Sequence, residues 1–229
     1  MPNSLKQTMR SAFLATLPVM AGYLVLGMGF GILMHSKGYG IGWSFAMSLL
    51  VYAGSMQYLA VDLLAGGASV VSAALSALMV NARHLFYGVS MLDKYKDVGA
   101  VKPYLIFSLT DETYSLLCSE KREGKLYYLL VSLFDHIYWV TGSVLGAVAG
   151  AVIPFRTDGI DFALTALFIT VFVQQWKESR DHTAAVIGVA VSLVCLILFG
   201  PSAFLIPAMV AITASLLILG RLQEGARNV

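Results

Sequence analysis

The chain reads as an all-α, polytopic integral membrane protein, and three observations carry that prediction. It is 58% apolar and only 12% charged, about half the charge of an ordinary soluble domain. Apolar runs of about 16–27 residues recur along its length, enough to cross a hydrocarbon core of roughly 30 Å. Most of these runs lack the polar face that a helix on a soluble core keeps. One transmembrane domain over residues 1–229 is expected.

The first segment is 13–34. Lys6 and Arg10 precede it as in a signal peptide, but the run is too long for such a core, so it is read as a retained spanning helix. Pro18 falls in its first turns, where proline is tolerated. Gly27 and Gly31 are four apart and share a face, which lets another helix approach closely. Packing within the protein is the expectation there. The second segment, 41–64, carries Ala53-Gly54-Ser55 at its middle, and a glycine–serine pair is a common place for a helix to break. Broken helices near the midplane are how many transporters expose backbone to substrate.

The third segment is 69–91. Asn81 lies about 18 Å along it and Arg83 about 21 Å, at 1.5 Å per residue. Asn81 and His84 are three apart and share a face, while Arg83 points elsewhere. An arginine at this depth costs roughly 2.5–3.5 kcal/mol on insertion scales, so it needs a task or a partner. The fourth segment, 103–119, is short and holds Asp111 and Glu112 at its centre. The fifth, 126–152, carries Asp135, His136, Tyr138 and Trp139, then Gly142, Gly146 and Gly150 as a seam of small residues. Segments 160–176, 183–199 and 204–219 are nearly charge-free, with a Gly-Pro turn at 200–201 and Pro207 early in the last helix. Trp43 and Trp176 sit near segment ends as interfacial anchors.

Positive charge discriminates between topologies. Eight full spans with the N-terminus inside place nine Lys and Arg inside and five outside. If segments two and four dip in and return, Lys94, Lys96 and Lys102 move inside and the count becomes twelve against two. Six spanning helices plus two re-entrant or broken segments, both termini cytoplasmic, is therefore preferred, with eight full transmembrane helices as the alternative. Re-entrant backbone is allowed where protein or a water-filled cavity surrounds it.

Several chemistries find no support. There is no GxSxG, HExxH or GxxxxGK[ST] pattern, so no catalytic residue is assigned and no ATP hydrolysis is expected. Cys118 and Cys195 have no spacing pattern that implies a disulfide or a metal. No cofactor and no nucleic-acid partner is expected. An apolar protein with intramembrane polar residues points instead to transport, by a carrier or, as the alternative, by a channel for small ions or neutral solutes.

Four stretches carry a family resemblance: VYAGSMQYLAV (51–61), LMVNARHLFYGVSM (78–91), SLTDETYSLL (108–117) and GIDFALTALFI (159–169). Together they resemble the AzlC-like family of branched-chain amino acid permeases, over nearly the whole chain and in order. The resemblance implies export of valine, leucine, isoleucine and methionine across a bacterial inner membrane, drawing on the proton gradient. It also implies a large subunit that pairs with a small AzlD-like membrane subunit.

Such a substrate has a carboxylate, an ammonium and an apolar side chain. Arg83 suits the carboxylate through a bidentate contact; its plainer role is a structural ion pair with Asp62, Asp111 or Asp135. Gly54, Ser55 and Gln57 offer backbone, hydroxyl and amide groups at the expected break, or else make a packing kink. Asn81 and His84 either line the same cavity or make interhelical hydrogen bonds, and His84 is also a candidate for handling a proton. Asp111 and Glu112 are candidates for ammonium binding or proton coupling, since two adjacent carboxylates in a poorly hydrated place do not both ionise easily. Asp135, beside His136, is a second candidate proton site.

Overall fold

The computed structural model describes residues 5–119, 124–153, 162, 165–166, 169, 172–173, 176–177, 179, 181–200 and 204–227. Among them the regular structure is helical, with no strand. The chain divides into two compact units, Met1–Thr165 and Ala166–Val229.

In the first unit the helices are α1 (Leu5–Ser36), α2 (Ile41–Leu50), α3 (Gly54–Ala65), α4 (Val70–Asn81), α5 (Arg83–Ser90), α6 (Lys102–Phe107), α7 (Asp111–Ser119) and α8 (Lys125–Val152). A single 3-10 turn, Gly99–Val101, leads into α6. α1 and α8 have 32 and 28 residues, or about 48 and 42 Å of helix at 1.5 Å per residue. Both are long and apolar enough to cross a membrane, and α4 with α5 makes a third such element if the bent pair is one span.

The glycine seam predicted on the fifth segment is where α1 and α8 meet. A Cβ on Gly31 would overlap the Ser143 carbonyl oxygen, and one on Gly146 would overlap the Met28 carbonyl oxygen. Gly27 and Gly142 lie in the same seam. Backbone thus touches backbone, which only residues without a side chain permit. The packing is internal, as expected. α1 starts at Leu5, well before the predicted residue 13, so Pro18 lies inside the helix rather than in its first turns.

Three predicted segments are broken. The second breaks at residues 51–53, so of the predicted Ala53-Gly54-Ser55 Ala53 lies in the hinge while Gly54 and Ser55 are the first residues of α3. The hinge holds Tyr52 at φ 41°, a conformation a bulky side chain adopts only when its surroundings impose it. Here the Tyr52 ring stacks on His136, centroids 4.1 Å apart. The third segment was expected to be one helix; it bends by 45° between α4 and α5. The fourth is interrupted at 108–110, which puts Asp111 and Glu112 at the start of α7 rather than at the centre of a segment.

In the second unit α9 (Thr183–Phe199) has the predicted bounds. α10 (Leu205–Arg227) runs on past the predicted residue 219, and the two pack together. The sixth predicted segment, 160–176, falls mostly outside the described residues. Trp176 stacks on His182, centroids 4.0 Å apart, whereas Trp43 is largely exposed beside Tyr39.

Candidate functional site

Each break in the first unit leaves a helix start with free backbone N–H groups, and polar residues of the three starts meet. Ser55 is the second residue of α3, Arg83 the first of α5 and Asp111 the first of α7. Arg83 Nη1 lies 2.9 Å from Asp111 Oδ2, and Nη2 donates to Ser55 Oγ at 2.9 Å. The Tyr87 hydroxyl donates to the other Asp111 oxygen at 2.7 Å. Arg83 and Asp111 side chains are 29% and 21% exposed, so the pair is neither sealed in the core nor freely hydrated. Arg83 Nε is buried without a partner.

The arginine therefore finds its partner in Asp111. Asp62 lies elsewhere, 3.9 Å from Lys37 on an exposed patch. Asn81, at the end of α4, has a buried side-chain oxygen with no partner. His84 Nδ1 lies 3.2 Å from the Asn81 carbonyl oxygen, and its ring meets Tyr87 edge-on. The helix ends between Asn81 and Arg83, so the expected shared face of Asn81 and His84 on one continuous helix is replaced by a contact across the bend.

Gln57 and Gly54 are turned to a different neighbour. Gln57 is 0% exposed; it donates to Ser48 Oγ at 3.1 Å and accepts from Trp139 Nε1 at 2.8 Å. Gly54 lies flat against the Trp139 ring, where a Cβ would come within 2.9 Å. Both groups hold α3 on α8 and α2. They are not brought together with Arg83.

Glu112 and Asp135 belong to another cluster. The Tyr23 hydroxyl, on α1, donates to Glu112 Oε2 at 2.7 Å and lies 2.6 Å from Thr110 Oγ1. Thr113 Oγ1 donates to Asp135 Oδ2 at 2.7 Å. Asp135 is 0% exposed, so its carboxyl does not face water. Its neighbour His136 places Nε2 3.3 Å from the Ser48 carbonyl oxygen and Nδ1 3.2 Å from the Tyr104 hydroxyl. A carbonyl only accepts, so Nε2 carries the hydrogen and Nδ1 accepts from Tyr104.

Sequence reasoning did not single out Tyr23, Tyr87, Thr110 or Thr113. The threonines flank the acidic pair in the stretch Thr110-Asp111-Glu112-Thr113, so they were within reach. Nothing local marks Tyr23 or Tyr87, whose partners lie 89 and 24 residues away in the chain. Among the described residues no group of three His, Cys, Asp or Glu forms a metal site.

The sequence model of the family described as AzlC protein matches residues 18–153, more than half the chain and all of the residues above. The Bacillus subtilis branched-chain amino acid transport protein AzlC is 43% identical over 221 residues, covering 95% of this chain and 87% of that protein. A Helicobacter pylori protein described as an uncharacterized membrane protein is 38% identical over 219 residues, 94% of this chain and 96% of its own length. The Escherichia coli inner membrane protein YgaZ is 29% identical over 186 residues, 76% of each chain. No solved structure matches the chain.

Proposed function

Because the chain belongs to the AzlC family, we propose that it is a secondary transporter of the bacterial inner membrane that exports valine, leucine, isoleucine and methionine. The observation that carries this reading is the meeting of three helix starts on Arg83. An arginine and an aspartate side by side are the charge complement of a zwitterion. In this structure they pair with one another, Ser55 and Tyr87 bond the arginine and the aspartate in turn, and Arg83 Nε keeps a donor to offer. A substrate that enters between them gives its carboxylate to Arg83 and the α3 start, and its ammonium to Asp111. The two charges need not be left unpaired at any stage, which keeps the desolvation cost low.

The breaks in segments two and four are what the six-span, two-re-entrant topology requires, with both termini cytoplasmic. The two re-entrant segments then both reach Arg83, through Ser55 and Asp111, an arrangement suited to alternating access. Export draws on the proton gradient through Asp111, Glu112 and Asp135. A small AzlD-like membrane subunit completes the transporter; α4 and α5 contain no buried residue, which leaves them a face to offer it.

The test is counterflow in proteoliposomes loaded with unlabelled leucine, with a trace of labelled leucine outside, for this chain alone and with an AzlD-like subunit. Transient accumulation of label above equilibrium is expected, and only with both chains. Equilibration without overshoot would point to a channel. No uptake of any of the four amino acids by the folded pair would overturn the reading.

A further inference from the structure

Four oxygen-to-oxygen gaps join Glu112 to Asp135. They run from Glu112 Oε2 to the Tyr23 hydroxyl at 2.7 Å, on to Thr110 Oγ1 at 2.6 Å, to Thr113 Oγ1 at 3.1 Å and to Asp135 Oδ2 at 2.7 Å. Each gap is within hydrogen-bond distance and needs one hydrogen. Tyr23, Thr110 and Thr113 bring one hydroxyl hydrogen each. Three hydrogens cannot fill four gaps. With both carboxyls ionised, Tyr23 must turn to Glu112 and Thr113 to Asp135, and one of the inner gaps is left with oxygen facing oxygen. One added proton on either carboxyl fills all four.

We infer that Glu112 and Asp135 share a single proton across the hydroxyls of Tyr23, Thr110 and Thr113, and that this row is a relay linking the 108–110 break, by way of α1, to α8. With the proton on Glu112, every hydroxyl donates toward Asp135; with it on Asp135, every hydroxyl donates toward Glu112. Passing one hydrogen across each of the four gaps moves the charge from one end to the other: four O–H bonds break, four form, and no other bond changes. Chains of this type polarise one another and favour the fully connected arrangements.

The charges around the chain agree with one shared proton. Tyr23, Thr110, Thr113 and Asp135 are all buried. Among the described residues neither Glu112 nor Asp135 has a cation within 4.0 Å, and Arg83, the basic group near Glu112, is taken by Asp111. His136, beside Asp135, is turned to Ser48 and Tyr104; Tyr52 packs flat on the His136 ring. Two unpaired anions in so dry a place are costly, and one proton removes half of that charge. Asp135 Oδ1 is buried with no partner, so nothing but the row of hydroxyls answers for a charge on this carboxylate.

The relay deepens the proton-coupled reading above, but the sharing is a property of the folded chain and is read without transport. Infrared spectra of the purified full chain in lipid at neutral pH show the C=O stretch of protonated carboxyls. Wild type minus Glu112→Gln and wild type minus Asp135→Asn are the two differences to record. An amide NH2 at either end fills the end gap without an added proton, so the remaining carboxyl ionises. Each single substitution should therefore remove the one protonated-carboxyl band, although it leaves the other acid in place. A band that survives either substitution would mean that the acids protonate independently, and no band in wild type would mean that both are ionised; each result overturns the relay. If an amide variant does not fold, Thr113→Val and Thr113→Ser decide it. Valine should shift the band and serine should leave it where it is, and an unshifted band in folded Thr113→Val would equally sink the proposal.

Discussion

The first unit contains two regions built on opposite rules. Along the α1–α8 seam two long helices satisfy most of their internal backbone groups themselves, so at Gly27, Gly31, Gly142 and Gly146 backbone can touch backbone. Around Arg83 the helices are short and interrupted, and side chains answer for what the backbone leaves open: Thr110 Oγ1 accepts from the Thr113 N–H, and Arg83, Ser55, Asp111 and Tyr87 bond one another. A membrane protein can afford the second arrangement only because the first supplies a rigid wall beside it. Close backbone packing is concentrated in the seam, and bonded polar side chains at the breaks.

The sharpest way to break that contrast is to put a methyl group into the seam. Gly31→Ala places a Cβ on the Ser143 carbonyl and forces two backbones apart, whereas Gly22→Ala on the same helix meets nothing within 4 Å. Overpacking costs roughly 1–3 kcal/mol even where side chains can yield, and here backbone must move. Loss of folded protein in a detergent melting assay is expected for Gly31→Ala. Gly22→Ala should be neutral or gain up to about 1 kcal/mol of helix preference.

The break region should answer with function rather than folding. Arg83→Ala removes charge-assisted hydrogen bonds worth roughly 1.5–3 kcal/mol, so initial counterflow should fall about ten- to a hundredfold with little change in melting. Arg83→Lys keeps the charge but not the fork, and should lie between. Near-normal counterflow by folded Arg83→Ala would take the residue out of the substrate site.

Gln57 tests the border between the regions, since it lies one turn past the break at 51–53 yet bonds into the core. Trp139→Phe leaves its buried carbonyl oxygen without the indole donor, at a cost of about 1–3 kcal/mol. A lower melting point with counterflow retained is expected; the reverse pattern would move Gln57 to the substrate side. The smallest effect belongs to Lys37→Ala. Its pair with Asp62 spans 3.9 Å, with the side chains 38% and 61% exposed. Such a pair is worth less than about 1 kcal/mol, and neither melting nor counterflow should change measurably.

Much of this was legible along the chain because it depends on local order. Apolar length announces α8 and α9, whose bounds were placed to within a residue, and the four-residue spacing of Gly142 and Gly146 announces a close contact. The pairing of Arg83 with an acid was foreseen as a choice among three. What was misplaced depends on contacts between distant residues. Gly54 looked like a hinge because glycine and serine tolerate one, yet the chain turns at Tyr52, whose ring is held against His136. The bend between Asn81 and Arg83 has no proline or glycine to mark it.

By itself, then, the sequence determined that the chain is a set of apolar helices with a few charges it must shelter, because hydropathy and spacing act on neighbours along the chain. Only the tertiary structure decided which acid Arg83 holds, that Gln57 serves the core, and that Glu112 and Asp135 lie at two ends of one row of hydroxyls. Those are hydrogen bonds across 22 to 89 residues; a donor and an acceptor that far apart carry no mark of each other until packing sets them within 3 Å.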